Sequence, residues 1–205
     1  MPKREHFKTA RPVAQLQQGR NDWYRIENNA GSDVATVYVF DEIGYFGVTA
    51  SDFIRDLSAI TATSVDLHLS SPGGCVFDGF AIFEALRTHR ARVTVHIDSL
   101  AASIASVIAM AGDKIIIGKF SEVMIHDAST VAIGNAAELR EVAEHLDRES
   151  DRIAAVYAER AGGTVKQWRA RMLAETWFSA TEAVEAGLAD EIAKPAVQEL
   201  SLIHI

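Results

Sequence analysis

Three short stretches carry the residue types that chemistry uses. In "DSLAASIASVIAMAG", residues 98 to 112, Ser103 stands where an alanine-rich turn enters an apolar helix. A hydroxyl there has free backbone N–H groups and the positive end of the helix dipole beside it, a setting that suits a nucleophile and the oxyanion its attack creates. The same place suits a plain helix cap, since serine is a favoured N-cap residue. Ser99 and Ser106 share the region, with Ser106 one turn further into the helix, where a small residue packs well. In "EVMIHDA", residues 122 to 128, strand alternation sets Val123 and Ile125 on one face and Met124 and His126 on the other. His126 is thus held at the end of an apolar strand. With an ordinary pKa of about 6.5, an imidazole can take a proton from a serine and return it, although a hydrogen-bonded structural histidine fits the position as well.

The third stretch is "SSPGG", residues 70 to 74, between an apolar strand and a helix. Pro72 fixes φ and lacks an N–H, while Gly73 and Gly74 reach conformations closed to other residues and let an extended peptide approach the backbone. The N–H groups of Gly74 and Ile104, the residue after Ser103, would make a two-donor oxyanion hole. Losing one such donor costs roughly 10²–10³ in rate. A tight strand-to-helix turn is the other use for this loop.

These stretches need a scaffold. "DWYRIEN", "DVATVYVFDEIG", "SVDLHLS", "RVTVHID", "DKIIIG" and "EVMIHDA" read as strands. Between them, "TASDFIRDLSAI" spaces Phe53, Leu57 and Ile60 as a helix does, the segment after "SSPGG" buries Phe80, Phe83, Ala85 and Leu86, and "AASIASVIAMAG" is a short apolar helix. Strands alternating with helices imply βαβ units and an α/β fold with a largely parallel sheet. Ligand sites in such sheets lie beyond the carboxyl ends of the strands, which is where "SSPGG" and "SLAAS" fall, so the two loops should be neighbours. Next comes one long helix at about residues 136 to 161, with Asn135 as cap and Gly162 and Gly163 as stop. Its stripe of Leu139, Val142, Ala143, Leu146, Ile153, Val156 and Tyr157 runs along a rod of roughly 40 Å, longer than the domain needs internally, so part of it is expected to face another subunit. "TVKQWRARMLAE" is a further helix. "SATEAVEAGLADEI" holds a capping box of Ser179 and Glu182 and a stop at Gly187. Three segments result: a flexible N-terminal arm at 1–20, a domain at 21–193, and a C-terminal tail at 194–205.

Composition removes several functions. The 205 residues are 48% hydrophobic and 23% charged, enough for one filled core. A net charge of −8, spread through the helices, argues against nucleic acid as a partner. No apolar run approaches the roughly 20 residues that span a bilayer, and the N-terminal stretch lacks the apolar centre of a signal peptide. Cys75 is alone, so no internal disulfide forms and a cytoplasmic location is the default. The seven histidines show no H-E-x-x-H arrangement, and "GDKIIIGK" is one residue too long for a phosphate loop, so neither a metal nor any other cofactor is expected.

In order and approximate spacing, "SSPGG", "AAS" followed by "AMAG", "MIHDA", the long helix and "FSATEAVEAGLADEI" resemble the ClpP family of serine peptidases, with the ClpP/crotonase fold, over about residues 34 to 192. "VYVFDEIGYFGVTASDF" and "CVFDGFAIFEAL" look more like the ClpP-related head maturation proteases of phages and prophages. The resemblance implies Ser103 as nucleophile, His126 as general base and acid, and the amides of Gly74 and Ile104 as oxyanion hole, with Pro72, Gly73 and Gly74 as the substrate-binding loop. It also implies that the long helix protrudes as a handle through which rings of identical subunits stack. One position departs from the pattern. The family's acid stands two residues before the Phe of its F-x-A segment, and here that residue is Thr176, with Glu175 beside it. Glu175 as the third member, Asp127 or a backbone carbonyl as the orienting group, or weak activity, all follow from this departure. The functions implied are an ATP-independent endopeptidase cutting capsid and scaffold proteins, a proteolytic subunit fed by an ATP-driven unfoldase, or a catalytically weak ring-forming assembly protein.

Overall fold

A computed structural model describes residues 23–27, 33–44 and 49–195. The expected arm at 1–20 and the tail from residue 196 onward lie outside the described residues. Strands β1 (Tyr24–Glu27), β2 (Val34–Phe40), β3 (Ser64–Ser71), β4 (Arg92–Ala102), β5 (Lys114–Ile117) and β8 (Glu191–Ile192) run in that order across one sheet. All neighbouring pairs are parallel except β1 with β2. Helices α1 (Ala50–Ser58), α2 (Val76–Arg87) and α3 (Ile104–Ala109) lie between these strands in the chain, as βαβ connections require. Alternation along the strands sends Val37, Val39, Leu67, Leu69, Val95 and Ile97 into one core, where they join Phe53, Leu57, Ile82 and Leu86 of the helices. The opposite face carries a row in register, Arg25, Tyr38, His68 and His96, whose rings stack from strand to strand.

Strand β4 departs from the sequence expectation and matters most for the site. "RVTVHID" reads as a strand and "SLAAS" as a loop, yet the strand continues to Ala102. Its first half pairs with β5, and its second half pairs Leu100, Ala101 and Ala102 with Glu122, Val123 and Met124 of β6 (Glu122–Ile125). The register against β3 shifts between Leu69 and Ser71, so Ser71 meets Ala101. Residues 99–102 have poor intrinsic strand preference; pairing on both sides supplies what propensity does not. β6 pairs in turn with β7 (Thr176–Ser179), antiparallel. "TWFS" and the two-residue β8 are strands that sequence periodicity does not reveal, being too short to show a period.

Helix α4 (Ala136–Ala161) matches its expected bounds because its end signals are local. The Asn135 side chain accepts from the N–H groups of Ala137 and Glu138, the Glu138 carboxylate accepts from the Asn135 N–H, and Gly162 at φ 77° ends the helix. The helix has two halves. Ile153, Ala154 and Tyr157 are buried, whereas residues 136–148 bury nothing fully and Leu139 is exposed. Helix α5 (Val165–Leu173), capped by Thr164, packs Trp168 and Met172 back onto the body, and α6 (Ala180–Glu185) starts at the predicted Ser179–Glu182 box.

Candidate active site

Ser103 follows directly on β4 and caps α3 with φ 54° and ψ −129°, a left-handed conformation that a non-glycine residue adopts only when its surroundings hold it there. Those surroundings are specific. Its N–H donates to the Met124 carbonyl at 2.9 Å, and its own carbonyl accepts from the N–H and the hydroxyl of Ser106. The Ser106 hydroxyl also meets the Tyr157 hydroxyl at 2.7 Å, and since its one proton goes to the Ser103 carbonyl, Tyr157 is the donor. Burial pushes the Tyr157 hydroxyl well above its ordinary pKa, against a smaller opposite effect of the bond to Ser106, so it keeps its proton. Sequence spacing assigns Ser106 only a packing role; the chain Tyr157–Ser106–Ser103 is visible in space, 51 residues apart.

His126 lies one residue past β6, and its Nε2 stands 2.7 Å from Ser103 Oγ. β6 presents the imidazole there because Val123 and Ile125 are fully buried on the other face. A hydroxyl bonded to an imidazole nitrogen that lacks a proton can hand its own proton over as it attacks a carbonyl.

The "SSPGG" loop lies against this pair. The buried Ser71 hydroxyl donates to the Asp41 carbonyl at 2.6 Å and accepts from the Gly73 N–H at 3.1 Å. The Ile43 N–H donates to the Gly73 carbonyl, and its carbonyl accepts from the Cys75 N–H, which leaves the Gly74 N–H on the side away from Ile43. Gly73 at φ 100° and Gly74 at φ 148° need glycine's freedom, and a methyl group on Gly73 would lie 2.7 Å from Ser103 Cβ and 3.2 Å from the Ile104 nitrogen. Ile104 begins α3, so its N–H has no acceptor within the helix. The two loops are neighbours, as expected, with Ser71 paired to Ala101. Pro72, Gly74, Ser103 and His126 border a cleft of about 260 Å³, with Val76, Met124 and Ile153 as apolar lining and Glu42 on its rim.

Glu175 is not brought to the imidazole. It sits at φ 48°, one step beyond the Ile125–Thr176 pair, and its carboxylate accepts from the Trp177 indole N–H at 3.3 Å. Among the described residues no hydrogen bond joins it to His126. Thr176 donates its hydroxyl to the Arg171 carbonyl at 2.7 Å. Asp127 turns instead to Arg169, whose guanidinium also binds Asp147 and Asp151. Burial acts to lower the Arg169 pKa, but the hydrogen bond to Asp147 and the charges of Asp127 and Asp151 outweigh it and hold the group above its ordinary value. Among the described residues no group of three or more His, Cys, Asp or Glu side chains is arranged to hold a metal ion, and no helix is long and apolar enough to cross a membrane.

A mostly parallel α/β sheet with a serine–imidazole pair beside a glycine loop defines the class, a hydrolase-like site at the carboxyl ends of strands. Residues 36–196 match the Clp protease family model, so the chain belongs to the Clp protease family and is a serine-type peptidase. It is 28% identical over 179 residues to an ATP-dependent Clp protease proteolytic subunit of Porphyromonas gingivalis, covering 80% of this chain and 79% of that one. It is 33% identical over 129 residues to the ATP-dependent Clp protease proteolytic subunit of Chlorella vulgaris, covering 62% and 64%. A third relative, ATP-dependent Clp protease proteolytic subunit 2 of Rhodococcus jostii, is 31% identical over 156 residues, 74% of each chain.

Proposed function

We propose that Ser103, His126, Gly74 and Ile104 are the working parts of an endopeptidase. The observation that carries this reading is the 2.7 Å contact between Ser103 Oγ and His126 Nε2 inside a cleft edged by Gly74. Ser103 Oγ attacks the scissile carbonyl carbon and its proton passes to His126 Nε2. The two amides hold the tetrahedral oxyanion. His126 then protonates the leaving amine, an acyl-Ser103 ester remains, and water attacks it with His126 as base. Pro72, Gly73 and Gly74 receive the substrate backbone, and Val76, Met124 and Ile153 favour an apolar side chain in the cleft. Glu175 stays outside the resting set; it would have to leave Trp177 to serve as the third member.

The exposed first half of α4, with Leu139, supports pairing of subunits into stacked rings of identical chains that enclose their sites. Within the family reading, the substrates are capsid and scaffold proteins cut without ATP, inside an immature shell or the cytoplasm of a bacterial host; "VYVFDEIGYFGVTASDF" and "CVFDGFAIFEAL" support it. A second reading, a subunit fed by an ATP-driven unfoldase, is favoured by the relatives, which carry the name ATP-dependent. Incubating the purified oligomer with fluorogenic peptides and scaffold-type proteins in the absence of nucleotide tests both. Cleavage of both, lost in Ser103→Ala, supports the first reading. Cleavage of peptides alone, with proteins degraded only when an unfoldase and ATP are added, supports the second. Equal cleavage by Ser103→Ala refutes the chemistry common to them. Portal and capsid genes beside this one would support the phage role.

A further inference from the structure

Asp127 follows His126 directly, and its carboxylate is held in an unusual way. Oδ1 is fully shielded from solvent and has no hydrogen bond, only the charge of Arg169 Nε at 3.3 Å; Arg169 Nη2 donates to Oδ2 at a long 3.4 Å. The short bonds of the same guanidinium go elsewhere, from Nη1 to Asp151 Oδ1 at 2.7 Å and to the Asp147 carbonyl at 2.9 Å, and from Nη2 to Asp147 Oδ1 at 3.0 Å. Asp147 and Asp151, four residues apart on α4, thus fix the guanidinium, and the guanidinium fixes Asp127. One residue on, the Ala128 N–H donates to the buried Ser150 hydroxyl, also on α4, at 3.0 Å. The segment that carries the imidazole is therefore tied to α4 at two adjacent residues, once by charge and once by a neutral bond.

We propose that Arg169 is a positioning residue for His126: by clamping Asp127 to α4 it sets the imidazole's reach toward Ser103 and offsets the negative charge around it. The proposal rests on the reading of Ser103 and His126 as a catalytic pair. Among the described residues, Asp127 follows the imidazole directly and pairs with Arg169 of α5, which Asp147 and Asp151 of α4 also bind; Glu42 lines the same cleft, and the Glu149–Arg152 pair lies on α4 beside Ser150. Arg169 is the cation that meets Asp127. Removing it leaves the Asp127 carboxylate without its partner and releases the segment that carries the imidazole from α4, so His126 loses its fixed reach toward Ser103.

Arg169→Gln, Arg169→Lys and Asp127→Asn, each in the full chain, test this with two readouts across pH 5–9. One is kcat and KM on a fluorogenic peptide. The other is the rate at which diethyl pyrocarbonate modifies His126, followed by mass spectrometry of its peptide, which needs no turnover. Arg169→Gln should lower kcat by about 10–100-fold while leaving KM within about threefold, and should change the rate of His126 modification by at least about threefold, because the imidazole is no longer held against Ser103. Arg169→Lys should restore only part of the rate, since it keeps the charge and loses the fork. Asp127→Asn should lower kcat at unchanged KM in the same way, since it removes the other half of the clamp. A kcat and a His126 modification rate both within about twofold of wild type in folded Arg169→Gln overturn the proposal, even where the melting temperature falls. If the wild-type chain shows no turnover, the catalytic reading fails by itself, and the modification rate still decides whether Arg169 positions the imidazole.

Discussion

Replacing Gly73 by alanine places a methyl carbon 2.7 Å from Ser103 Cβ, 2.8 Å from the Ala102 carbonyl oxygen and 3.2 Å from the Ile104 nitrogen. Carbon atoms rest about 3.5–4.0 Å apart, so the loop must back away from the serine by about 0.8–1.3 Å. All three neighbours are at or beside the backbone, so none can swing aside. A misplacement of that size costs on the order of 10² in rate when it separates a nucleophile from an oxyanion donor. The positive φ of 100° adds a backbone penalty of about 1–3 kcal/mol, felt as lost stability. Gly162→Ala separates the two effects, because that glycine also has positive φ, 77°, but has nothing within 4 Å of an added methyl group. Both variants should melt lower, by about 2–4 °C for each kcal/mol in a chain of this size. Only Gly73→Ala should lose about 100-fold in kcat/KM on a fluorogenic peptide. Activity within threefold of wild type in folded Gly73→Ala would refute the assignment of this loop to the oxyanion side of the site.

Other perturbations separate the remaining parts. Glu175→Gln should cost less than about tenfold in kcat, since its carboxylate is engaged with Trp177; a loss near the ~10⁴ known for an orienting acid would show that it reaches His126 during turnover. Tyr157→Phe removes the donor to Ser106 and should cost about 1–3 kcal/mol in stability by melting, with a smaller effect on rate. Asn135→Ala removes the α4 cap and should cost about 1 kcal/mol, read as fraying of the first turn by hydrogen exchange. Burial, and to a lesser degree the charge of Arg90, lower the pKa of His89, outweighing its bond to the Leu57 carbonyl. A folded value below the unfolded one of 6.5 means that stability is full above that pH and is lost as pH falls through the folded value, so melts from pH 7.5 to 5 should show a slope that His89→Asn reduces.

What could be read in advance was what is local or strongly periodic. Asn135, Ser179 and the glycines after α4 mark helix ends through cap chemistry confined to a few residues. Val65, Leu67 and Leu69, or Val93, Val95 and Ile97, alternate because one face of the sheet is covered. The run from Ser99 to Ala102 was not legible as strand, because its pairing partners Ser71 and residues 122–124 are distant in the chain and decide its conformation. Ser103 and His126 stood out by residue type and by position after strands. Tyr157 and Arg169 did not, since each acts through an intermediate residue and sits on a helix where its type is ordinary. Thr176 marked a departure at the acid's position, but only coordinates could show Glu175 turned to Trp177 and Asp127 turned to Arg169.

Labelling the purified, folded protein with a fluorophosphonate and locating the adduct by peptide mass spectrometry decides whether Ser103 is the activated hydroxyl. One phosphonylated residue is expected, Ser103, with labelling abolished in Ser103→Ala and slowed by at least about 10²-fold in His126→Ala. No adduct on the folded protein, or an adduct on another serine that persists in Ser103→Ala, would overturn that assignment.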